Sequence, residues 1–413
     1  MHKEPKDKSI VAIATGESID RITEEAVNLI GGLKSIIRPG NKVLIKPNCN
    51  GGRDPWKGPT TKPEFIRKLV EMSWEAGAGE VWVGEHAGGS VDTMTAFEKT
   101  GVGPAASEAG ARLIPFDKSE YVEVNVRDPV RFNKLHVARE VLECDVYIDV
   151  PALKTHHAVG ISGALKDALG LISNSERTAM HIQGLNEGIV DSRQVRLPDL
   201  VVGDAYICVE GLGPFWGPPV RLEACLASRD SLAIDVITAI MMGFHPNEVM
   251  CLKMAQEKCL GAFNYDPKLR FSDIEIRGVE LEKVMRPFLR PLTHIQQRYK
   301  ELNGQIEAHT TKACTGCFGS LTTALWGPPG KARKDLAEKT RYRCLKFYAG
   351  PIDKPERGPE TIVIGDCQSK WREYGLFVPG CPVTPDAIVS RIEQIVGPLK
   401  KQKIVTSEGS PEL

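Results

Sequence analysis

The stretches NKVLIKPN at 41–48 and DVYIDVPAL at 145–153 decide the fold class. Both are short runs of mainly aliphatic residues with little polar alternation, which is typical of strands covered on both faces of a parallel sheet. Similar runs occur at SIVAIATG (9–16), EVWVGEH (80–86) and DLVVGDAYICVEG (199–211). Amphipathic helical patterns separate them, and such alternation places helices on both sides of a sheet. The sequence therefore predicts a doubly wound α/β fold with a mostly parallel sheet.

The helix starts between these strands carry recognisable signals. In TKPEF, Thr61 is the predicted N-cap, Pro63 lies in the first turn and Glu64 completes a capping box. A second helix is predicted in SRDSLAIDVITAIMMG, where Asp230 and Asp235 flank the helix start. Capping and the helix dipole explain both carboxylates, so neither is predicted to be a site residue.

The predicted domain organisation has four segments. They are an α/β domain at 1–280, a helical linker at 281–311, a four-cysteine unit at 312–400 and a flexible tail at 401–413. In the four-cysteine unit, strands are predicted at TIVIGDC and GLFVPGC, followed by a helix capped by Thr384 with Pro385 at its first position. The unit is thus a smaller α/β module after the main domain.

Composition and charge narrow the function classes. The 413 residues contain 53 Lys and Arg against 53 Asp and Glu, without a long basic run, so a nucleic-acid partner is not expected. Neither a signal-peptide core nor an apolar run of about 18 residues occurs, so we expect a cytoplasmic protein without a membrane partner. In a reducing compartment, 11 cysteines favour metal binding over disulfides.

Four cysteines lie in glycine-bearing, turn-like segments: Cys314 and Cys317 in CTGC, Cys367 in GDC and Cys381 in PGCP. Four thiolates that converge from loops can hold an iron–sulfur cluster. The four thiolates could instead bind a structural zinc ion. A further alternative is that the four cysteines are small buried residues that bind no metal. A zinc ribbon normally has two compact CxxC elements, whereas the last two cysteines here are single, which favours a cluster. Cys344, among bulky and basic residues, is predicted to be a buried non-ligand.

This segment resembles the proximal-cluster module of nickel–iron hydrogenase small subunits and the related small subunit of respiratory complex I. Those proteins carry a CxGC or adjacent-cysteine element, then GxC, then VPGCPP before a helix. This chain reads CTGC, GDC and VPGCPV, with Val383 in place of the second proline. The resemblance covers residues 312–397, and it implies one 4Fe–4S cluster bound by the four cysteines named above.

Polar side chains follow three of the predicted strands. Lys46, Asn48 and Asn50 follow one strand, and Glu85 and His86 follow another. A larger set follows the third strand, namely Lys154, His156, His157, Ser162 and Lys166. Ligands of open α/β sheets bind outside the carboxyl ends of the strands, so neighbouring strands would bring these groups together. Taken singly, each residue is better explained as a cap, a loop histidine or a solvated lysine, whereas their clustering at strand ends favours a site.

The same motifs resemble a protein family called domain of unknown function 362, whose members are often described as iron–sulfur centre proteins. The resemblance covers residues 8–262 and rests on VLIKPN, LKTHHAVGISGALKDALG, a later histidine, VVGDAYICVEGLGPFWG and LASRDSLAIDVITAIMMG. It implies a site built from Lys46, Asn48, Lys154, His156, Lys166, His181 and Asp204. The segment HHAVGISGALKDALG is also similar to the H…GxSGGxK segment of lactate racemase, where the lysine holds a nickel-bearing cofactor; Ala164 replaces one glycine.

Together these features predict an iron–sulfur oxidoreductase that acts on a small anionic organic substrate, with a redox partner protein as a further expected partner. The predicted catalytic residues are His156, His157, Lys166, Glu85 and His86. The predicted binding residues are Lys46, Asn48, Lys154, His181 and Asp204. Two other functions remain open: an electron-transfer or assembly module without a substrate, and a non-redox lyase or isomerase with a structural cluster.

Overall fold

The structure, a computed structural model, describes residues 8–88, 91–264, 271–310, 313–327, 331–350, 352 and 354–400. The predicted tail at 401–413 lies outside the described residues. The strands in chain order are β1 Ser9–Thr15, β2 Lys42–Pro47, β3 Glu80–Glu85, β4 Arg112–Pro115, β5 Tyr121–Asn125, β6 Lys134–Ala138, β7 Val146–Val150, β8 Lys154–His156, β9 Gly160–Ser162, β10 Leu200–Val209, β11 Pro219–Ser228, β12 Ile274–Gly278, β13 Ile306–His309, β14 Trp326–Gly327, β15 Lys331–Ala332, β16 Leu345–Ala349, β17 Thr361–Ile364 and β18 Leu376–Val378.

The α-helices are distributed between these strands along the chain. They are α1 Ile19–Leu29, α2 Pro63–Glu75, α3 Thr93–Thr100, α4 Val102–Glu108, α5 Arg139–Glu143, α6 Ala164–Asp167, α7 Asn174–Gln183, α8 Leu185–Val195, α9 Ser231–Met241, α10 Met250–Glu257, α11 Leu281–Val284, α12 Pro291–Glu301, α13 Thr315–Leu325, α14 Lys334–Lys339 and α15 Pro385–Val396. Within the described ranges, no helix is long and apolar enough to cross a membrane.

The main sheet has the strand order β12-β1-β11-β10-β7-β2-β3-β4. Neighbours from β10 to β4 are parallel, and β11 runs antiparallel to β1 and β10. Alternate residues of one strand enter different cores: Leu44 packs on one face, and Val43 and Ile45 pack on the other. Because both faces are covered, consecutive central residues of these strands are apolar, which is why their sequences lack regular polar alternation. The predicted doubly wound, mostly parallel α/β fold is confirmed.

Two helix-start predictions are wrong in detail. Helix α2 begins at Pro63 with Lys62 at the N-cap position and no side-chain cap, because the Thr61 hydroxyl instead donates to the carbonyl of Val150 (2.7 Å). Asp230 caps α9 as expected, accepting from the amide of Leu232 at 2.9 Å. Asp235, however, lies inside α9 and caps α6, where its carboxylate accepts from two consecutive amides at 2.7 and 2.8 Å.

The C-terminal unit contains a parallel sheet in the order β13-β16-β17-β18. Strand β13 lies within the segment predicted to be a helical linker, so the helical prediction is wrong there. The cap of α15 is confirmed, because Thr384 accepts from the amide of Ala387 at 3.3 Å. The CTGC segment is not wholly a loop: Cys314 is the N-cap of α13, and Cys317 lies in its first turn.

The C-terminal unit packs directly on the main domain through helix α13. A Cβ atom on Gly160 would lie 2.7 Å from Cγ2 of Thr315, and one on Gly319 would overlap the carbonyl of Ala158. The hydroxyl of Thr315 also accepts from the amide of Met250 at 2.8 Å. Glycine permits these close backbone approaches because it has no Cβ. The β8–β9 hairpin of the main domain is therefore in contact with the helix that carries Cys317.

Candidate functional site

The carboxyl ends of β2, β3 and β7 meet because these strands are neighbours in the sheet. Lys46, at the end of β2, is fully buried, and its ammonium lies 2.6 Å from a carboxylate oxygen of Asp167 and 3.1 Å from one of Glu85. Burial alone would lower the pKa of Lys46, but these two carboxylates raise it above its usual value. Lys46 is thus a charged residue held between two acidic residues.

Asn48 links this ion-pair network to a second lysine. Its amide donates to Asp167 at 2.6 Å, while its carbonyl oxygen accepts from the ammonium of Lys154 at 3.1 Å. Lys154 also donates to the carbonyl of Ala152 at 3.0 Å. Lys46 and Lys154 therefore lie at the same edge of the sheet, joined through Asn48 and Asp167, as the sequence motifs predict for a shared site.

A small cavity of about 40 Å³ lies beside this network. Its walls come from the ends of β2 and β3, from α6 and the turn that follows it, and from α7. The lining residues are Lys46, Asn48, Asn50, Glu85, His86, Ala87, Lys166, Asp167, Leu169, Gly170, Arg177 and His181. Six of the ten predicted catalytic and binding residues line one cavity, namely Lys46, Asn48, Glu85, His86, Lys166 and His181.

Two buried groups at this site have pKa values near neutrality. Burial raises the pKa of the Glu85 carboxyl to about 7, although Lys46 opposes the shift. Burial lowers the pKa of Lys154 to about 7, against the attraction of Asp167. Groups with pKa values near the working pH can both give and accept protons, which suits general acid–base chemistry.

The histidines of the site are neutral. Burial lowers the pKa of His86, His157 and His181 to about 4, and that of His156 well below its usual value. His156 and His157 stack with ring centroids 4.7 Å apart. Nδ1 of His156 accepts from the amide of Ala158 at 3.1 Å, but its buried Nε2 has no hydrogen-bond partner among the described residues. A buried nitrogen in this state is a candidate contact for a ligand.

Asp204 lies apart from the cavity. Its carboxylate is buried, accepts from the amide of Lys62 at 2.9 Å and lies 3.2 Å from the ammonium of the same residue. It also accepts from the amide of Tyr206 at 3.0 Å. These contacts give Asp204 a structural role at the start of α2, and its assignment as a binding residue stays a prediction.

The sequence reasoning missed several residues that shape the site. Asp167 neutralises Lys46, and Arg177 contributes a cation to the cavity wall. Behind them, Asp149 pairs with the fully buried Arg193 at 2.6 Å. Asp167 follows Lys166 directly, and a search for the partner of a buried lysine would have singled it out. Arg177 has no such signal, because only the packing of α7 brings it to the cavity.

The four predicted cysteine ligands approach one another at the carboxyl ends of β17 and β18 and the start of α13. A Cβ atom on Gly365 would lie 3.1 Å from Sγ of Cys317 and 3.7 Å from Sγ of Cys367. The two loops are tied by paired hydrogen bonds between Asp366 and Gly380, at 3.0 Å between backbones and 2.9 Å from the Gly380 amide to the side chain. Both sulfurs therefore face a common space beside Gly365.

The sulfurs also interact electrostatically. A hydrogen bond between the two thiols lowers the pKa of Cys314 to about 5 and raises that of Cys317, while the amides at the start of α13 further lower that of Cys314. Burial raises the pKa of Cys381, and its neighbours Cys314 and Cys367 raise it further. All four predicted ligands thus belong to one electrostatic group.

Cys344 is half-buried, and its thiol donates to the adjacent carbonyl of Leu345. No group of three or more His, Cys, Asp or Glu side chains in the described part of the chain is arranged to hold a metal ion. A single ion draws all its ligands to one centre, whereas a 4Fe–4S cluster takes four thiolates at four separate iron atoms. The assignment of the four cysteines as cluster ligands stays a prediction.

Residues 43–239 match the protein family described as Domain of unknown function (DUF362), which confirms the resemblance for that part of the chain. This range contains every residue that lines the cavity and ends before the four predicted cysteine ligands. The chain is also 27% identical over 236 residues to a thylakoid-associated protein of Synechocystis sp., a match that covers 55% of this chain and 71% of the relative.

Two solved structures are similar at a lower level. The lactate racemase apoprotein of Thermoanaerobacterium thermosaccharolyticum aligns over 94% of this chain and 91% of its own, with 10% identity and a TM-score of 0.38. A crystal structure of a Thermotoga maritima protein aligns over 83% of this chain and 74% of its own, with 12% identity and a TM-score of 0.37. At these scores neither protein bears on function.

Proposed function

We propose that this protein is an iron–sulfur redox enzyme whose cavity at the end of β2 and β3 binds a small anionic organic substrate. Cys314, Cys317, Cys367 and Cys381 would hold one 4Fe–4S cluster. The observation that carries the proposal is the contact between the β8–β9 hairpin, which bears His156, and helix α13, which bears Cys317. A redox site and a substrate site must be close for electrons to pass between them, and this contact supports such proximity.

Two features support the cluster. The four thiols come from a helix start and two strand-end loops, and a Cβ atom on Gly365 would lie within 4 Å of both Cys317 Sγ and Cys367 Sγ. The resemblance of CTGC, GDC and VPGCPV to the hydrogenase segment points to the same four ligands. When bound, such a cluster supplies or accepts single electrons.

The charge of the cavity supports an anionic substrate. Lys46, Lys166 and Arg177 line it together with Asp167 and Glu85, and the pKa of Glu85 near 7 leaves that carboxyl partly neutral. Cations therefore exceed anions at the cavity wall. In a mostly buried site this excess attracts an anion more strongly than it would in water.

The proton chemistry would be carried by the chain's own groups. Lys154, with a pKa near 7, lies one hydrogen bond behind Asn48 and can release or take up a proton at neutral pH. Nδ1 of neutral His156 accepts from Ala158, so the unpartnered Nε2 carries the ring proton and can donate a hydrogen bond to a substrate atom. Oxidation of an alcohol to a carbonyl would release two electrons and two protons. Lys154 would take up one proton and solvent the other, and the cluster would pass the electrons one at a time to a redox partner protein.

The proposal is tested by purification without oxygen followed by iron, sulfide and zinc analysis. We expect brown protein with about four iron and four sulfide per chain. A panel of small organic anions is then added to the oxidised and the reduced protein while the visible absorption is followed. An anion that bleaches or restores the band identifies the substrate, and the response should disappear in His156→Ala. Colourless protein with one tightly bound zinc would exclude the proposal.

A further inference from the structure

A recess lies at the amino edge of the main sheet, opposite to the edge that holds the candidate site. Strands β1 and β10 begin beside it, β11 ends there, and the start of α9 completes its wall. The recess is half open to solvent and has a volume of about 550 Å³. Small-molecule sites commonly have volumes of about 300–1,000 Å³, so a whole organic molecule fits. Among the residues that the structure describes, the two cavities share no lining residue.

The wall of the recess is mostly apolar. Ile10, Ile30, Pro198 and Leu260 line it, and Leu197 lies at its rim with 48% of its surface exposed. An apolar side chain this exposed gains free energy when the apolar part of a ligand covers it. An apolar wall with a few polar groups is the usual composition of a small-molecule site. The lining therefore suits a ligand with a hydrocarbon part.

Two cations lie at the recess. Arg229 is exposed and donates to the hydroxyl of Ser35, and Lys8 donates to the carbonyl of Phe271 at 3.3 Å. Within the described ranges, neither Arg229 nor Lys8 forms an ion pair with a carboxylate. An anionic group in the recess can therefore pair with a cation whose charge is not already offset by a neighbouring acid.

The acidic residue of the lining, Asp230, is held by bonds within the protein. Its carboxylate accepts from the hydroxyl of Ser9 at 2.6 Å and from the amides of Leu232, Ala233 and Ala262 at 2.9, 2.9 and 2.8 Å. These four donors and the positive end of α9 stabilise its negative charge. The two cations of the recess remain for the anionic group of a ligand.

The hydroxyl of Ser231 is a buried polar group that a ligand can satisfy. Ser231 is the first residue of α9, lines the recess and is 4% exposed. Its hydroxyl has no hydrogen-bond partner among the described residues. A buried hydroxyl without a partner is unfavourable, and folded proteins retain few of them unless water or a ligand bonds to them. Ser231 is thus an observation that points to a ligand, beyond the apolar wall and the two cations.

We propose that this recess is a second binding site, which takes an organic anion with an apolar chain or ring. The apolar part would cover Leu197, the anionic group would pair with Arg229, and Ser231 would donate to an acceptor atom of the ligand. The requirement is a negative charge on an apolar body, which a carboxylate and a phosphate monoester both supply. The site is separate from the proposed substrate cavity and does not depend on the proposed cluster.

The test uses octanoate, octyl phosphate and 1-octanol, which share one apolar chain and differ in the head group. Calorimetry at matched ionic strength measures the binding of each to the wild-type protein. We expect at least one of the two anions to bind at least about fivefold more tightly than 1-octanol, because only an anion pairs with Arg229. The anion that binds more tightly identifies the head group.

Substitution of the cation tests the polar end of the site. In Arg229→Gln, the affinity for the anion should fall at least about fivefold, while that for 1-octanol stays unchanged. Arg112→Gln, a change to another exposed arginine at the start of β4, is the matched control and should bind the anion as the wild type does. Lys154→Ala, in the other cavity, should also bind it as the wild type does.

Substitution of the leucine tests the apolar end. Leu197→Ser should weaken the binding of all three compounds at least about threefold, because it removes apolar surface that the octyl chain would cover. Leu142→Ser, which changes another exposed leucine, should leave the three affinities unchanged.

Ser231→Ala separates a binding role from a structural one. Loss of an unpartnered buried hydroxyl should not lower the unfolding midpoint of the free protein, while the affinity for the anion should fall several-fold. A lower midpoint with unchanged affinity would overturn the role of Ser231. The whole proposal would be overturned by equal binding of the anions and 1-octanol to the wild type, by unchanged anion binding to a folded Arg229→Gln protein, or by loss of binding in Lys154→Ala.

Discussion

The cavity of the main domain and the cysteine group of the C-terminal unit differ in how their charges are balanced. In the cavity, Lys46 is buried between Glu85 and Asp167, so the protein itself supplies the opposite charge. At the cysteine group, Cys367 and Cys381 are exposed, and Lys253 is a cation that acts on Cys314 and Cys381. The charges at the cavity are therefore largely balanced within the protein, whereas at the cysteine group we propose that a bound cluster would balance the thiolates.

The same difference applies to the three lysines at the strand ends. Gathering Lys46, Lys154 and Lys166 at one site would cost stability through repulsion unless an anion offset it. The structure supplies much of that offset through Asp167 and Glu85, and burial lowers the pKa of Lys154 to about 7, so that it is partly neutral. A bound anion is thus favoured by a small excess of positive charge and is not needed to hold the site together.

The largest effect is expected at the cysteine group. Cys367→Ser and Cys381→Ser should each lose the brown colour and most of the iron, because each removes one of four proposed thiolate ligands. Cys344→Ser should keep both, since its thiol lies apart from the group. Iron analysis and visible absorption of protein made without oxygen measure the outcome. Equal loss in Cys344→Ser would show that the ligand set is different.

The next largest effect tests whether the substrate site and the cysteine group act independently of each other. Lys154→Ala and His156→Ala should abolish turnover or reduce the binding of acetate, used here as a small organic anion probe, at least about tenfold, with iron content and absorption unchanged. If a variant with normal iron still binds acetate as the wild type does, its residue is structural and not part of the site. A loss of iron in either variant would show that the two regions are coupled and do not act as separate sites.

Removal of Lys46 tests whether the cavity is held together by its own charges. Lys46→Ala leaves two buried carboxylates without their partner, so we expect the free energy of unfolding of the main domain to fall by about 3–5 kcal/mol. Lys68→Ala, which breaks a partly exposed pair with Glu24, should cost less than about 1 kcal/mol. Urea denaturation of both variants measures the difference, and similar small losses would contradict the proposed role of Lys46.

The smallest effect is a dependence of binding on pH. Lys154 is protonated below its pKa of about 7 and loses its positive charge above it, while Glu85 gains a negative charge in the same range. Both changes disfavour an anion, so acetate affinity should fall several-fold between about pH 6 and about pH 8. Lys154→Met should weaken this dependence. An affinity that rises with pH would contradict the assignment.

Parts of the site were predictable because they lie next to apolar strands. Lys46, Glu85 and Lys154 directly end or follow runs whose burial is evident from their composition, and the carboxyl ends of parallel strands meet by geometry. The cap of α15 was also local, since Thr384 and Pro385 act on the helix that follows them. The true role of Thr61 could not be read in this way, because its hydroxyl bonds to Val150, which is remote in sequence.

The sequence by itself determined the α/β class, five of the eight strands of the main sheet (β1, β2, β3, β7 and β10) and the polar strand ends, because each depends on residues close together in the chain. Only the tertiary structure decided that Asp167 neutralises Lys46, that Asp235 caps α6, that α7 brings Arg177 to the cavity and that α13 packs on the β8–β9 hairpin. These contacts join segments through side-chain packing and ion pairs. Their partners are chosen by proximity in the folded chain, and a pattern along the sequence carries no record of that proximity.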